Sequence, residues 1–74
     1  MIELDARRLM CPMPVIRTQN IIKTLNLADK VRVTCTDPGV MQDIPAWCRI
    51  NGHTVLLAEE VGGEYVLTIE VGNE

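Results

Sequence analysis

HTVLLAEEVGGEYVLTIEV, residues 53–71, sets two apolar-rich runs on either side of Gly62-Gly63. Two consecutive glycines supply the positive φ angles that a two-residue hairpin turn demands, and β-branched and aromatic residues fill the second run. The stretch reads as an antiparallel hairpin. A two-stranded ribbon is marginal in water, so the upstream chain must supply further strands and a cover.

Upstream, the pattern alternates between strand and helix. DIPAWCRING (43–52) reads as a short helix with Asp43 as N-cap, Pro45 in the first turn and Gly52 closing the C-terminus. TDPG (36–39) reads as a turn: Asp37 accepts a local backbone hydrogen bond, Pro38 presets φ, and Gly39 tolerates a positive φ. In VRVTCT (31–36), Val31, Val33 and Cys35 oppose Arg32, Thr34 and Thr36; in MIELDA (1–6), Ile2 and Leu4 oppose Glu3 and Asp5. Both are strands wetted on one face. Between them Pro14, Val15, Thr18, Ile21, Ile22 and Leu25 share one side of a helix expected from Pro12 to Leu25.

The order β-α-β-α-β-β predicts an α/β two-layer sandwich, a four-stranded mixed sheet with both helices on one face. Right-handed crossovers make the first three strands parallel, and the hairpin makes the fourth antiparallel. The start of the first helix, the TDPG turn and Gly62-Gly63 then share one edge of the sheet. His53 falls at the opposite edge, which argues against a Cys11–His53 catalytic pair.

Composition bounds the function. Seventy-four residues, 47% hydrophobic and 23% charged, fit a single domain over 1–74 with a small core. With no Phe and only Trp47 and Tyr65 as aromatics, Ile, Val, Leu and Met must build that core. The three cysteines include no Cys-x-x-Cys pair, and His53 completes no familiar zinc spacing with them, so neither a metal nor an organic cofactor is expected. MIELDARR lacks an apolar signal core and no run reaches membrane-spanning length, so a cytoplasmic monomer with reduced thiols and no membrane contact is the expectation. Residues 1–50 carry a formal +2 and residues 51–74 carry −5. An acidic chain so poor in aromatics makes a weak nucleic-acid surface, and no direct nucleic-acid partner is expected.

RRLMCPMPVIRTQ (7–19) places two prolines at the start of a helix. N–H groups at positions N1 to N3 have no intrahelical partner, so Pro12 at N1 and Pro14 at N3 lose no helix bond, and Cys11 becomes the N-cap. A helix N-terminus carries roughly half a positive charge and favours a thiolate; Arg7 and Arg8 add positive potential. Cys35 alternates in phase with Val31 and Val33, and Cys48 follows Ile44 and Trp47 at helical spacing, so both read as core. Cys11 lies in a strand-to-helix loop instead, where function concentrates. Ile16 points away from the apolar stripe with Met13 near it, and together with Met10 they form an apolar collar suited to docking a protein.

LDARRLMCPMPVI resembles the opening L-D-x-x-G-L-x-C-P-x-P pattern of the TusA/SirA-like small sulfur-carrier family. VTCTDPGVMQDIPAWCRINGH resembles its second block, with T-D-P, D-I-P and G-H in register. The resemblance spans essentially the whole chain and implies the sheet order 1-2-4-3. It also implies a sulfurtransferase-type carrier that takes persulfide sulfur on Cys11 from a cysteine desulfurase or rhodanese-like donor. A downstream acceptor then receives the sulfur for tRNA thiolation, molybdenum-cofactor assembly or sulfur oxidation. Pro12, Pro14, Asp37 and Asp43 shape the site, and Met10, Met13, Ile16, Arg7 and Arg8 serve docking. The family's glycine is Arg8 here, and a positive φ at that position would cost on the order of 1 kcal/mol. The rival reading is a regulatory or protein-interaction module with Cys11 as a thiol sensor.

Overall fold

The hairpin closes a four-stranded sheet in the computed structural model, which describes residues 1–72. The elements are β1 (Ile2–Ala6), α1 (Met13–Ile22), β2 (Lys30–Cys35), α2 (Val40–Asn51), β3 (Thr54–Val61) and β4 (Glu64–Glu70). Strand order is β1-β2-β4-β3, as the family resemblance implied. β1 runs parallel to β2, while β4 is antiparallel to both β2 and β3. Gly62 (φ 59°) and Gly63 (φ 83°) make the tight turn between β3 and β4, a conformation disfavoured for any residue with a Cβ.

One face of the sheet carries Val31, Val33, Leu67 and Ile69, all fully buried under Ile22, Val40, Ile44 and Cys48 of the two helices. Each such side chain contributes roughly 1.5–3 kcal/mol on burial. Thr18 is the buried polar residue of α1, and its hydroxyl donates to the Pro14 carbonyl at 2.8 Å. The opposite face is wet, with Arg32–Glu3 (2.9 Å) and Lys30–Glu70 (3.7 Å) paired across neighbouring strands. Among the described residues, no helix is long and apolar enough to cross a membrane.

Both helices differ from their expected ends. α1 stops at Ile22 rather than Leu25, because Thr24 and Leu25 donate to Ile21 and Ile22 in i→i+3 bonds that tighten the chain into a turn. Leu25 still packs on the core, half-buried. α2 starts four residues earlier than expected, at Val40, and its N-cap is Gly39 rather than Asp43. The reason is local: Val40, Met41 and Gln42 donate to Asp37, Pro38 and Gly39, so the 36–39 turn winds directly into the helix. Gly39 accordingly has φ −60°, not a positive value, and Pro45 lies inside the helix instead of in its first turn. Gly52 closes α2 in the left-handed conformation (φ 83°), as its position predicts.

Candidate functional site

The C-terminal ends of β1 and β2 lie side by side, with Ala6 beside Cys35, and the hairpin turn closes the same edge because Cys35 also pairs with Tyr65. Residues 7–12 cross this edge into α1, and residues 36–39 cross it into α2. His53 precedes Thr54, which pairs with Glu70 beside Lys30 at the start of β2. It therefore sits at the far edge, stacked on Trp47 (centroids 5.2 Å) and accepting the Gly72 N–H on Nδ1 at 3.3 Å. The topology keeps it away from Cys11.

Of the three thiols, Cys11 is exposed whereas Cys35 and Cys48 are buried, at 0% and 1% accessibility. Cys11 is not the N-cap of α1. That place belongs to Pro12, followed by Met13 at N1 and Pro14 at N2. Met13 donates to the Met10 carbonyl at 2.8 Å, closing a turn around Cys11 and Pro12, whose peptide bond is cis. The first helical bond runs from Ile16 to Pro12 at 3.1 Å. The thiol thus stands one residue outside the helix, in a turn of its own.

Two carboxylates hold that turn. Asp37 accepts the Cys11 N–H on Oδ2 at 3.0 Å and the Gly39 N–H on Oδ1 at 3.0 Å. Asp43 accepts the Cys11 thiol: Sγ to Oδ2 is 3.2 Å. Asp43 is available for this because Gly39, not Asp43, caps α2. A Cβ on Gly39 would lie 3.4 Å from Asp37 Oδ1 and 3.7 Å from Asp43 Oδ2, in ordinary contact with both acids, so the two carboxylates flank the start of α2. Among the described residues no Lys or Arg forms an ion pair with either carboxylate.

This reverses the expected electrostatics. The Cys11 thiol is pushed up from its ordinary pKa, first by its hydrogen bond to Asp43, then by desolvation, then by the charges of Asp43 and Asp37. Arg7 does not offset them. Its guanidinium is clamped on Asp5 by two bonds of 2.9 Å and reaches Glu64 at 3.5 Å, which brings the Asp5 carboxyl down to about 2. Arg8 has φ 69° and donates its backbone N–H to Thr36 Oγ1 at 2.9 Å. The family's glycine position therefore is left-handed, and Arg8 occupies it under strain. Neither the Thr36 acceptor nor the Asp43–thiol contact was legible from local pattern, because both join segments more than two dozen residues apart.

Apart from these two acids, the loop and the first turn of α1 expose apolar side chains: Met10 is 77% exposed, Ile16 40% and Met13 37%. Arg8, Leu9, Met10, Thr36, Asp37 and Pro38 line a shallow depression of about 240 Å³ there. A larger cleft of about 490 Å³ lies at the far end of the helices, between Gln19, Lys23, Trp47 and His53, and contains no cysteine. Among the described residues no group of three or more His, Cys, Asp or Glu side chains is placed to hold a metal ion.

Residues 2–71 match a family model described as Sulfurtransferase TusA. The sulfur carrier protein TusA of Pseudomonas putida is 36% identical over 66 residues, covering 89% of this chain and 82% of that protein. Its counterpart in Allochromatium vinosum is 31% identical over 68 residues, covering 92% of this chain and 90% of that protein. The crystal structure of a SirA-like protein from Desulfitobacterium hafniense superposes with a TM-score of 0.85 at 28% identity, over 99% of this chain and 100% of that one.

Proposed function

As the chain belongs to the TusA family of sulfur carriers, and so works between a sulfur donor protein and a sulfur acceptor protein, we propose that Cys11 bears the cargo as a persulfide. The observation that carries this reading is the placement of Cys11: it is the exposed thiol of the three, on a braced turn at a sheet edge, with exposed Met10 and Met13 flanking it in the chain.

The transfer needs no outside oxidant. Cys11 Sγ attacks the outer sulfur of a donor persulfide, the donor's S–S bond breaks, and the donor departs as a thiol. The outer sulfur moves with its oxidation level to Cys11, and the same exchange in reverse delivers it to the acceptor. Met10, Met13 and Ile16 form the docking surface, Arg8 borders it, and Arg7 braces the adjoining edge. Pro12 and Pro14 fix where the turn ends and α1 begins. The donor class is a cysteine desulfurase or a rhodanese-like protein. We place the relay in the cytoplasm, carried by residues 1–74 as a monomeric domain, with no nucleic acid or membrane involved.

A thiol sensor is the weaker reading, because sensor cysteines react through a depressed pKa and the pKa of Cys11 is raised. The test is mass spectrometry of the reduced chain after incubation with a cysteine desulfurase and cysteine, or with a thiosulfate-loaded rhodanese. One sulfur atom should be gained and then lost to reducing agent. Cys11→Ser should gain none, whereas Cys35→Ala and Cys48→Ala should gain one. A gain that survives in Cys11→Ser would move the cargo to another residue.

A further inference from the structure

We propose that Asp43 is the acid–base partner of Cys11, taking the thiol proton as Sγ attacks the donor persulfide and returning it to the departing donor sulfur. The inference rests on the persulfide reading and adds a second residue to it. Its ground is geometric. The thiol points at Asp43 Oδ2, 3.2 Å away, and this is the hydrogen bond that Sγ makes among the described residues. Asp37, the other acid of the turn, has both oxygens occupied by backbone N–H groups, so it holds the loop and has no open oxygen aimed at the sulfur.

The remaining charged groups around the thiol do not duplicate this role. In the loop, the Arg7 guanidinium is held by Asp5 and Glu64, and Arg8, like Arg7, is a cation with no lone pair to take a proton. The first turn of α1 carries no acidic side chain. Asp43 is fixed by α2, one turn in from Gly39, and half-buried, so its carboxylate is presented by a rigid element.

The chemistry requires such a group. The two carboxylates disfavour the free thiolate in the resting protein, and a docked partner would exclude the water that otherwise accepts the proton. Transfer to Asp43 moves the proton only the length of a hydrogen bond. The steps balance: the S–H bond of Cys11 breaks as the Asp43 O–H bond forms, the new S–S bond forms as the donor's breaks, and the proton then passes to the donor thiolate. Electron pairs move from Sγ into the new bond and from the old bond onto the donor sulfur.

Two readouts should move in opposite directions in Asp43→Asn. Iodoacetamide alkylation of Cys11 in the free protein should become several-fold faster at neutral pH, because losing the carboxylate charge favours the thiolate. Loading from the cysteine desulfurase with cysteine should become at least ten-fold slower. Its rate should also rise about ten-fold per pH unit between about pH 6.5 and 8, where the wild-type rate should stay nearly flat. Asp43→Glu should restore much of the loading, since it keeps a proton acceptor. Asp43→Ser gives the same comparison should the amide variant not fold. Equal loading of wild type and Asp43→Asn, or alkylation and loading falling together, would overturn the inference while leaving the persulfide reading in place. A wild-type chain that gains no sulfur from desulfurase or rhodanese would overturn both.

Discussion

Asp37 accepts the backbone N–H of Cys11 at 3.0 Å across 26 residues of sequence, and its other oxygen takes the N–H of Gly39. One carboxylate thereby ties the loop entering α1 to the turn entering α2. These two bonds, the Gly39 bond first, hold the Asp37 carboxyl below its ordinary value. A folded pKa lower than the unfolded one means that the unfolded chain takes up the proton first. The stabilisation is therefore complete above the ordinary carboxylate value of about 3.9 and is lost as pH falls through the folded value. Asp37→Asn should lower the urea midpoint at neutral pH and flatten its decline below about pH 4. Asp5 titrates in both proteins, so the difference isolates Asp37. Parallel pH curves for the two proteins would show that the bridge contributes nothing.

Alkylation should be selective, and for a reason unlike the one that the helix N-terminus suggested. Burial pushes Cys35 and Cys48 up to about 11 and shuts out reagent, whereas Cys11 is open to solvent. Iodoacetamide should label Cys11 well before the other two, and denaturant should erase the difference. Because the Cys11 pKa is raised, its rate should still be climbing as pH passes the ordinary thiol value of about 8.5. A rate already level by pH 8 would mean that the carboxylates do not act on the sulfur.

Periodicity made the sheet legible. Val31, Val33, Leu67 and Ile69 recur every second residue, and glycine pairs and proline turns leave few ways to connect such strands. The order 1-2-4-3 came instead from the family resemblance, since alternation says which face is buried but not which strand is central. Helix starts failed where two signals competed. Asp43 looked like a cap because Pro45 follows it, yet the Pro38-Gly39 turn already supplied one. That single shift changes Asp43 from a helix cap that shapes the site into the hydrogen-bond partner of the thiol. Electrostatics at Cys11 were illegible for the same reason, as the thiol's first partner, Asp43, arrives from a helix whose start was misplaced.

Arg8 offers a test of backbone strain. Its φ of 69° is a conformation that costs a residue with a Cβ roughly 1–2 kcal/mol, while glycine adopts it freely. Arg8→Gly keeps the N–H bonded to Thr36 but adds freedom to the unfolded chain, which offsets part of the gain. The net expectation is a stabilisation of about 0.5–1 kcal/mol, or a rise in Tm of about 2–8 °C for a chain of this length. Calorimetry on the two proteins reads it directly, and a lower Tm for Arg8→Gly would mean that the arginine side chain compensates for its backbone.

On α1, two isoleucines six residues apart should separate stability from docking. Ile22 is 6% exposed and packs in the core, so Ile22→Ala should cost about 2–5 kcal/mol and shift the thermal midpoint strongly. Ile16 is 40% exposed beside Met13 and Met10, so Ile16→Ser should change stability by no more than about 0.5 kcal/mol. A neutral replacement is chosen because a new charge there would also act on the thiol. If the collar is where the donor docks, Ile16→Ser should slow persulfide loading from a cysteine desulfurase several-fold, chiefly by weakening the encounter. Raising the donor concentration should recover the lost rate. Alkylation of Cys11 by iodoacetamide, which needs no docking, should proceed at the wild-type rate. Loading unchanged at every donor concentration would place the donor's contact elsewhere, whereas loading and alkylation slowed alike would mean that Ile16 shapes the Cys11 turn itself.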